Sequence, residues 1–198
     1  MSMKKSIVTI LSIVVIAFAG ILFLAYFGES LISEVTLEIP LEDRGAKISG
    51  VKIDEKAPYF ELKDPEEKSV AITEFLGKPF ILTFWTTWNT LSADQIKIFD
   101  DYLAAREKKD NGIGALFEIV TINSQEDKSI VSNFMRRGGY QVKVLLDEDG
   151  STGEIYQARN LPVTYFMDSD GIIRDVSVGI LSEEMLLQKI EAIIYNIK

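Results

Sequence analysis

One uncharged apolar run near the amino terminus constrains this chain more than any other feature. Residues Ile7–Phe27 carry no charged side chain, and a helix of about 21 residues spans roughly 30 Å, the hydrocarbon thickness of a bilayer. Lys4 and Lys5 precede the run, whereas several acids follow it before the first base, Arg44. Because basic residues stay on the cytoplasmic side, the sequence predicts a cytoplasmic N-terminus (residues 1–6), a transmembrane signal anchor and an extracytoplasmic remainder in a bacterial-type envelope.

A cleaved signal peptide is the alternative for the same segment. Signal peptides have an apolar core of about 7–15 residues and end in a small-x-small cleavage site. The run in this chain is longer, and the stretch Ala25–Gly28 (AYFG) is a poor cleavage site. The length of the run therefore favours an uncleaved anchor that attaches the protein to the membrane.

The absence of two residue types narrows the possible chemistry. The chain has no cysteine and no histidine, and its formal net charge is −9. It therefore has no thiolate nucleophile, no disulfide, no Cys/His zinc site and no Ser-His-Asp triad. The acidic balance argues against a nucleic-acid partner, because phosphate binding requires a basic face.

After the anchor the chain divides into a linker and one domain. Residues 28–56 alternate short apolar stretches with charges and glycine, which is typical of a juxtamembrane linker. Residues 57–198 show the regular order β-β-α-β-α-β-β-α, which indicates an α/β domain with a central mixed sheet. The predicted strands are Tyr59–Leu62, Val70–Ile72, Phe80–Trp85, Glu118–Asn123, Val142–Leu146, Val163–Met167 and Ile172–Val178, and the predicted helices run to about Lys108, over Lys128–Arg137 and from a cap at Ser182.

Four strings in the domain carry a resemblance to a known family. They are APYFELKD, LGKPFILTFWTTW, VLLDEDGSTGEIYQARNLPVTYFMDSDGIIRD and GILSEEML, in this order along the chain. Together they are similar to the membrane-anchored TlpA/ResA-type thiol–disulfide oxidoreductases (redoxins) over roughly residues 57–198. The resemblance implies a thioredoxin-like fold.

The resemblance fails at the residues that carry the family's activity. The family has the motif W-C-x-x-C at the start of the helix that follows the central strand, and the matching run here is WNTLS, from Trp88 to Ser92. Asn89 stands at the position of the nucleophilic cysteine and Ser92 at that of the resolving cysteine. Thr83 matches the buried Asp or Asn that the family often has in the central strand. Neither an amide nor an alcohol exchanges with a disulfide, so no catalytic residue is predicted.

A structural role explains both polar residues of the altered motif. Asn89 is a good N-cap, and Ser92 with Gln95 three residues later fits a capping box, with Leu91 as its apolar staple. Deliberate replacement of two cysteines is the alternative, but trapping variants usually change one position to Ser or Ala. The Asn/Ser pair therefore favours a natural substitution.

Pro162 matches the family's cis-proline, and the resemblance alone predicts a cis bond after Leu161. In the family this loop faces the active site and pairs with the backbone of a bound peptide. The alternative is that Pro162 only closes the fold and that Trp88 merely packs. The candidate binding surface consists of Trp88, Asn89, Thr90, Ser92, Leu161 and Pro162.

Three function classes remain open at this point. The first is a redox-inactive, membrane-tethered module that binds an extracytoplasmic peptide or protein, and the others are a structural part of an envelope complex and an enzyme that works without a thiol. The acidic turns Asp147–Gly150 and Asp168–Gly171 lack the ligand spacing of an EF-hand, and turn chemistry explains their acids. The sequence therefore predicts no metal and no cofactor, and it favours binding over catalysis.

Overall fold

The computed structural model describes residues 51–109 and 116–195. The predicted N-terminal tail, the predicted anchor and most of the predicted linker lie outside the described residues. Within these two ranges, no helix has the length and apolar character needed to cross a membrane.

The domain consists of one mixed seven-stranded sheet with helices on its faces. The elements are β1 Glu61–Lys63, β2 Ser69–Ala71, a 3-10 helix Ile72–Phe75, β3 Phe80–Trp85, α1 Thr90–Lys109, β4 Glu118–Ser124, α2 Lys128–Gly138, β5 Lys143–Asp147, α3 Ser151–Ile155, β6 Val163–Met167, β7 Ile173–Val178 and α4 Glu183–Tyr195. The strand order is β2-β1-β5-β4-β3-β6-β7. Strands β3, β4 and β5 are parallel, whereas β6 is antiparallel to β3 and β7 to β6. The predicted α/β class with a mixed sheet is confirmed.

The central strands are buried on both faces, as their continuous apolar sequences predict. All six residues of β3 and all five of β6 are buried. On one face, Ile81 and Trp85 of β3 pack in a core with residues of α1, α2 and α4. On the other face, Phe80 and Phe84 pack in a core with the 3-10 helix and with Tyr156, which follows α3. Because side chains alternate along a strand, one strand supplies both cores.

The strand register places the C-terminal ends of β3 and β4 and the N-terminal end of β6 at the same end of the sheet. Trp85 at the end of β3 pairs with Asn123 near the end of β4, and Phe84 pairs with Val163 at the start of β6. The loop before α1, the loop after β4 and the loop before β6 therefore meet at this end.

Ordered contact with the domain begins before the predicted boundary at Ala57. The Asp54 N–H donates to the carbonyl oxygen of Ile173 at 2.7 Å, and the Ile173 N–H donates to Glu55 at 3.0 Å. Arg174 Nη1 lies 2.6 Å from Asp54 Oδ1. The last residues of the predicted linker therefore pack against the start of β7.

Helix α3 is an element that the sequence pattern did not predict. It has only five residues and includes Gly153, so it has neither the length nor the periodicity that indicates a helix. Its first turn is held by the buried Asp147, whose carboxylate accepts hydrogen bonds from the Thr152 N–H at 3.1 Å and the Gly153 N–H at 2.8 Å. The acid of the predicted turn therefore serves as a helix cap.

Candidate functional site

Asn89 joins the start of α1 to the loop before β6. Its side-chain oxygen accepts a hydrogen bond from the Ser92 N–H at 3.2 Å, so the predicted N-cap is confirmed. Its side-chain nitrogen donates to the carbonyl oxygen of Leu161 at 3.1 Å. Both ends of this amide are therefore engaged within the protein, at the position that matches a nucleophilic cysteine.

The predicted capping box at Ser92 is wrong, because α1 begins two residues earlier, at Thr90. Ser92 lies in the first turn and is 0% exposed, and its hydroxyl has no hydrogen-bond partner within the described ranges. The Gln95 side-chain oxygen instead accepts a hydrogen bond from the Leu181 N–H at 2.6 Å. Leu91 is about half exposed and belongs to the helix, so it is not an apolar staple.

The Leu161–Pro162 peptide bond is cis, as expected. Pro162 is buried, and its carbonyl oxygen accepts a hydrogen bond from the Gly179 N–H at 2.8 Å. This bond ties the loop to the end of β7, and the Asn89 amide ties it to α1. The structure thus brings the altered cysteine position and the cis-proline loop together, and their use as a binding surface stays a prediction.

Thr83 cannot act on this site as an acid or a base. It is fully buried in β3, and its hydroxyl lies 3.0 Å from the hydroxyl of Thr164 on the neighbouring strand β6. The position that often holds a proton-transferring group in the resembling family is here part of a neutral hydroxyl pair. The pair stabilises the sheet without supplying chemistry.

A cleft of about 890 Å³ opens beside Asn89. Trp88 also lines the cleft, with 73% of its surface exposed. The charged residues that line the cleft are Glu154 and Arg159, both exposed. The complete lining is Thr86, Trp88, Asn89, Ser124, Gln125, Gly150, Gly153, Glu154, Gln157, Ala158, Arg159, Asn160 and Leu161.

Glu126 holds the loop that carries Trp88, and the sequence reading missed it. Its carboxylate accepts hydrogen bonds from the Thr87 N–H at 2.6 Å, from the Thr87 hydroxyl at 2.5 Å and from the Asn123 side-chain nitrogen at 2.8 Å. The residue is buried despite its charge. Its place two residues after the end of the parallel strand β4, at the end of the sheet where the site forms, is the signal that could have identified it.

The arrangement supplies hydrogen-bonding groups and apolar contact but no thiol. Among the described residues, Glu154 is the only carboxylate that lines the cleft, whereas hydrolysis by paired carboxylates requires two. No group of three or more acidic side chains in the described part of the chain is placed to hold a metal.

The buried Asp147 should make the stability of the fold depend on pH. Burial raises the pKa of its carboxyl above the ordinary value, against the lowering effect of hydrogen bonds from Gly153 and Thr152. Between the unfolded value of about 3.9 and the raised folded value, the folded state binds more protons, so this group's contribution to stability increases as the pH falls. We therefore expect the unfolding free energy of wild type, measured by urea unfolding, to rise relative to that of Asp147→Asn as the pH falls from about 7 to about 4. A constant difference, or a shift towards the variant, would contradict it.

Two sequence comparisons identify related proteins. A profile of the AhpC/TSA family matches residues 53–176. The thiol-disulfide oxidoreductase ResA of Bacillus subtilis (strain 168) is 32% identical over 130 residues, which cover 66% of this chain and 69% of that protein. The thioredoxin-like protein YneN of the same strain is 25% identical over 145 residues, covering 72% and 81%.

Solved structures agree on the fold. A putative thiol:disulfide interchange protein DsbE from Chlorobium tepidum superimposes with a TM-score of 0.64 at 22% identity, covering 73% of this chain and 99% of that one. The exposed lipoprotein thioredoxin Etrx1 from Streptococcus pneumoniae gives a TM-score of 0.54 at 22% identity, covering 67% and 98%. The predicted thioredoxin-like fold is thus confirmed. The chain belongs to the AhpC/TSA family and is a cysteine-less redoxin similar to thiol-disulfide oxidoreductases.

Proposed function

We propose that this chain is a redox-inactive, peptide- or protein-binding module that a transmembrane anchor holds on the extracytoplasmic side of a bacterial-type envelope. The observation that carries the proposal is the Asn89 amide, which occupies the cysteine position and makes two hydrogen bonds inside the protein. Such a residue organises the site without reacting. Asn89, at the position of the family's nucleophilic cysteine, instead lines and stabilises a cleft.

The surroundings of Asn89 support binding. A largely exposed indole is unusual for a residue held in place only for packing, because apolar groups exposed beside a cleft often mark contact sites. Tryptophan is also enriched among the residues that contribute most to protein interfaces. Trp88 lines the cleft, and the preceding residue, Thr87, donates its N–H to the Glu126 carboxylate. A partner would therefore meet an indole on an ordered loop, which reduces the entropy lost on binding.

The tether rests on the sequence alone. The uncharged run Ile7–Phe27 and the basic residues before it support an anchor with its N-terminus in the cytoplasm. If this is correct, the full chain resists carbonate extraction from membranes, and protease added outside spheroplasts digests the domain. Release of the chain by carbonate, or protection of the domain in intact spheroplasts, would contradict the tether.

Binding is tested with peptides selected from a phage library of random linear peptides on the full chain purified in mild detergent. We expect Trp88→Ala to weaken binding of the selected peptide about tenfold, because burial of an aromatic side chain in an interface is worth about 1–2 kcal/mol. The unfolding free energy should change by less than about 0.5 kcal/mol, since the residue is largely exposed. Isothermal titration calorimetry and urea unfolding measure the two quantities.

Tyr195→Ala is the matched control, because Tyr195 is also an exposed aromatic residue, 65% accessible, at the end of α4. The control should bind the peptide as wild type does. Equal affinities of all three proteins would show that Trp88 is not part of the binding surface. A failure to select any peptide would count against the binding role. Reduction of insulin by the wild-type chain would contradict its redox inactivity.

A further inference from the structure

Strand β7 is the last strand on one side of the sheet, so among the described residues no further strand lies along its outer edge. An edge strand presents a row of N–H and C=O groups that can pair with a strand of another molecule. On β7 part of this row is already engaged inside the protein. Two different contacts close it, one at the start of the strand and one near its middle.

The chain before β1 closes the start of β7. The Ile173 N–H donates to the carbonyl oxygen of Glu55 at 3.0 Å, and the Ile173 carbonyl oxygen accepts from the Asp54 N–H at 2.7 Å. The pairing ends there, because the chain turns at Asp54, which has a φ of 68°, and the Glu55 N–H donates back to Lys52. This segment therefore covers only the first residues of the outer edge.

Asp175 closes the edge where that segment stops. The Gly179 N–H donates to the carbonyl oxygen of Pro162, on the side of β6, and the register between the two strands is regular from Val178 to Asp175. Because N–H groups of an antiparallel strand alternate in direction, those of Val178 and Val176 point away from β6. The Val176 N–H donates to Asp175 Oδ1 at 2.7 Å. A carboxylate thus lies where a neighbouring strand would place its carbonyl oxygen.

Helix α4 holds the Asp175 carboxylate in this position. The second carboxylate oxygen, Oδ2, pairs with Nζ of Lys189. That amino group also lies 5.5 Å from the centre of the Phe166 ring, on the neighbouring strand β6. One oxygen therefore serves the strand edge and the other serves the helix, which fixes the side chain against the edge.

A carboxylate makes a similar contact at the opposite side of the sheet, where β2 is the last strand. The Ile72 N–H donates to the carbonyl oxygen of Phe60 on the β1 side, so the Ala71 N–H points outward. This N–H donates to Glu74 Oε1 at 3.1 Å. Because Glu74 also belongs to the 3-10 helix, its contact serves that helix as well. The recurrence at both sides of the sheet supports edge closure as the role of Asp175.

A second copy of this chain is the partner that an open β7 edge would take. Identical strands can pair antiparallel about a two-fold axis, so that each copy makes the same contacts. The strand has six residues, and the two with outward N–H groups are the valines Val176 and Val178, a residue type that favours strands. Val178 is also 66% exposed. The edge thus has the length and composition for self-pairing, apart from Asp175.

We propose that the Asp175 carboxylate closes the outer edge of β7 and thereby prevents two copies of the chain from joining their sheets through this strand. The inference does not depend on the peptide-binding role. It gives a charged residue at a sheet edge a function in keeping the domains of neighbouring molecules separate, which is the way in which charges commonly protect edge strands.

Asp175→Val tests the closure, because valine removes the acceptor and favours the strand conformation. In sedimentation equilibrium of the full chain in density-matched mild detergent, we expect the variant to dimerise at least about tenfold more tightly than wild type, since the freed N–H groups gain hydrogen bonds across the contact. Asp175→Thr should change dimerisation in the same direction. Glu66→Val, at an exposed acid in the turn between β1 and β2, is the control and should behave as wild type.

A spin label locates the contact, and the absence of cysteine from the chain makes the labelling specific. Val178→Cys places one nitroxide at the exposed end of β7. Double electron–electron resonance should then give a distance between copies below about 30 Å in the Asp175→Val background, because paired strands lie about 4.8 Å apart. The same label in the Asp175 background should give no such distance.

Three results would overturn the proposal or support it. Equal dimer affinities of wild type, Asp175→Val and Asp175→Thr would refute the closure. Tighter association without the short distance between labels would also refute it, because the contact would then lie elsewhere. Tighter association together with the short distance supports it. A cooperative urea transition shows that a variant is folded, and Asp175→Thr decides the question if Asp175→Val lacks one.

Discussion

The double variant Asn89→Cys/Ser92→Cys is expected to form an intramolecular disulfide and to reduce insulin, whereas the wild-type chain, which has no cysteine, is expected not to reduce it. Asn89 caps α1 and Ser92 lies three residues later in its first turn. The Asn89 side-chain oxygen lies 3.2 Å from the Ser92 nitrogen, so the side chain at position 89 already points towards residue 92. Sulfur atoms at these two places are within reach of each other after small side-chain rotations. The absence of the two sulfur atoms alone would then account for the absence of disulfide-reducing activity.

Two features of the site favour the introduced pair. A thiol at a helix N-terminus has a lowered pKa, because the helix dipole stabilises the thiolate, and position 89 is such a place. The Ser92 hydroxyl is buried and makes no hydrogen bond within the described residues, so a sulfur atom there breaks none, and cysteine is well tolerated in buried positions. The loss of the Asn89 cap should lower the unfolding free energy by about 1 kcal/mol.

Mass spectrometry under oxidising conditions detects the disulfide by the loss of two hydrogens, and insulin turbidity with a reductant measures the activity. The single variants Asn89→Cys and Ser92→Cys are the controls, since neither can close an internal disulfide. A folded double variant that forms no internal disulfide would show that positions 89 and 92 do not have the geometry of a redox pair. The fold would then resemble the oxidoreductases without keeping their active-site shape.

Glu126→Ala is expected to lower the unfolding free energy by about 3 kcal/mol. The substitution leaves the Thr87 N–H and the Asn123 side-chain nitrogen without their acceptor, and hydrogen bonds to a charged group are worth about 1.5–3 kcal/mol each. Removal of the unpaired charge from a buried place offsets part of the loss, which is why the expected value lies below the sum of the bonds. Urea unfolding with a two-state fit measures the change.

Glu126→Gln separates hydrogen bonding from shape in the same measurement. One Glu126 oxygen accepts from both the Thr87 N–H and the Asn123 side-chain nitrogen, and an amide oxygen at that place can accept both bonds. The amide nitrogen then faces the Thr87 hydroxyl, which can turn to accept a hydrogen bond. The loss should therefore be smaller than for alanine and should reflect the missing charge. Glu66→Ala, at an exposed acid, is the control and should change the free energy by less than about 0.5 kcal/mol. A loss below about 1 kcal/mol for Glu126→Ala would show that the loop before Asn89 does not depend on this carboxylate.

Local patterns in the sequence predicted most of the secondary structure. Strands β3 and β6 have the predicted bounds, because a short continuous apolar run between turn residues has few alternatives to a buried strand. The Asn89 cap and the Ser182 cap were also predictable, since each depends on a residue and the backbone three positions later. Helix α3 was not, because its cap comes from Asp147, before the turn that leads into it.

The amino-acid sequence by itself determined that this redoxin has no thiol chemistry, because that follows from residue types alone. It also determined the class of fold, since strand and helix periodicities are local. Only the tertiary structure decided what the altered motif does instead. The bond from Asn89 to Leu161, that from Gln95 to Leu181 and the clamp of Glu126 on Thr87 join residues far apart in the chain, and no local pattern encodes which distant groups the folded sheet brings within hydrogen-bonding distance.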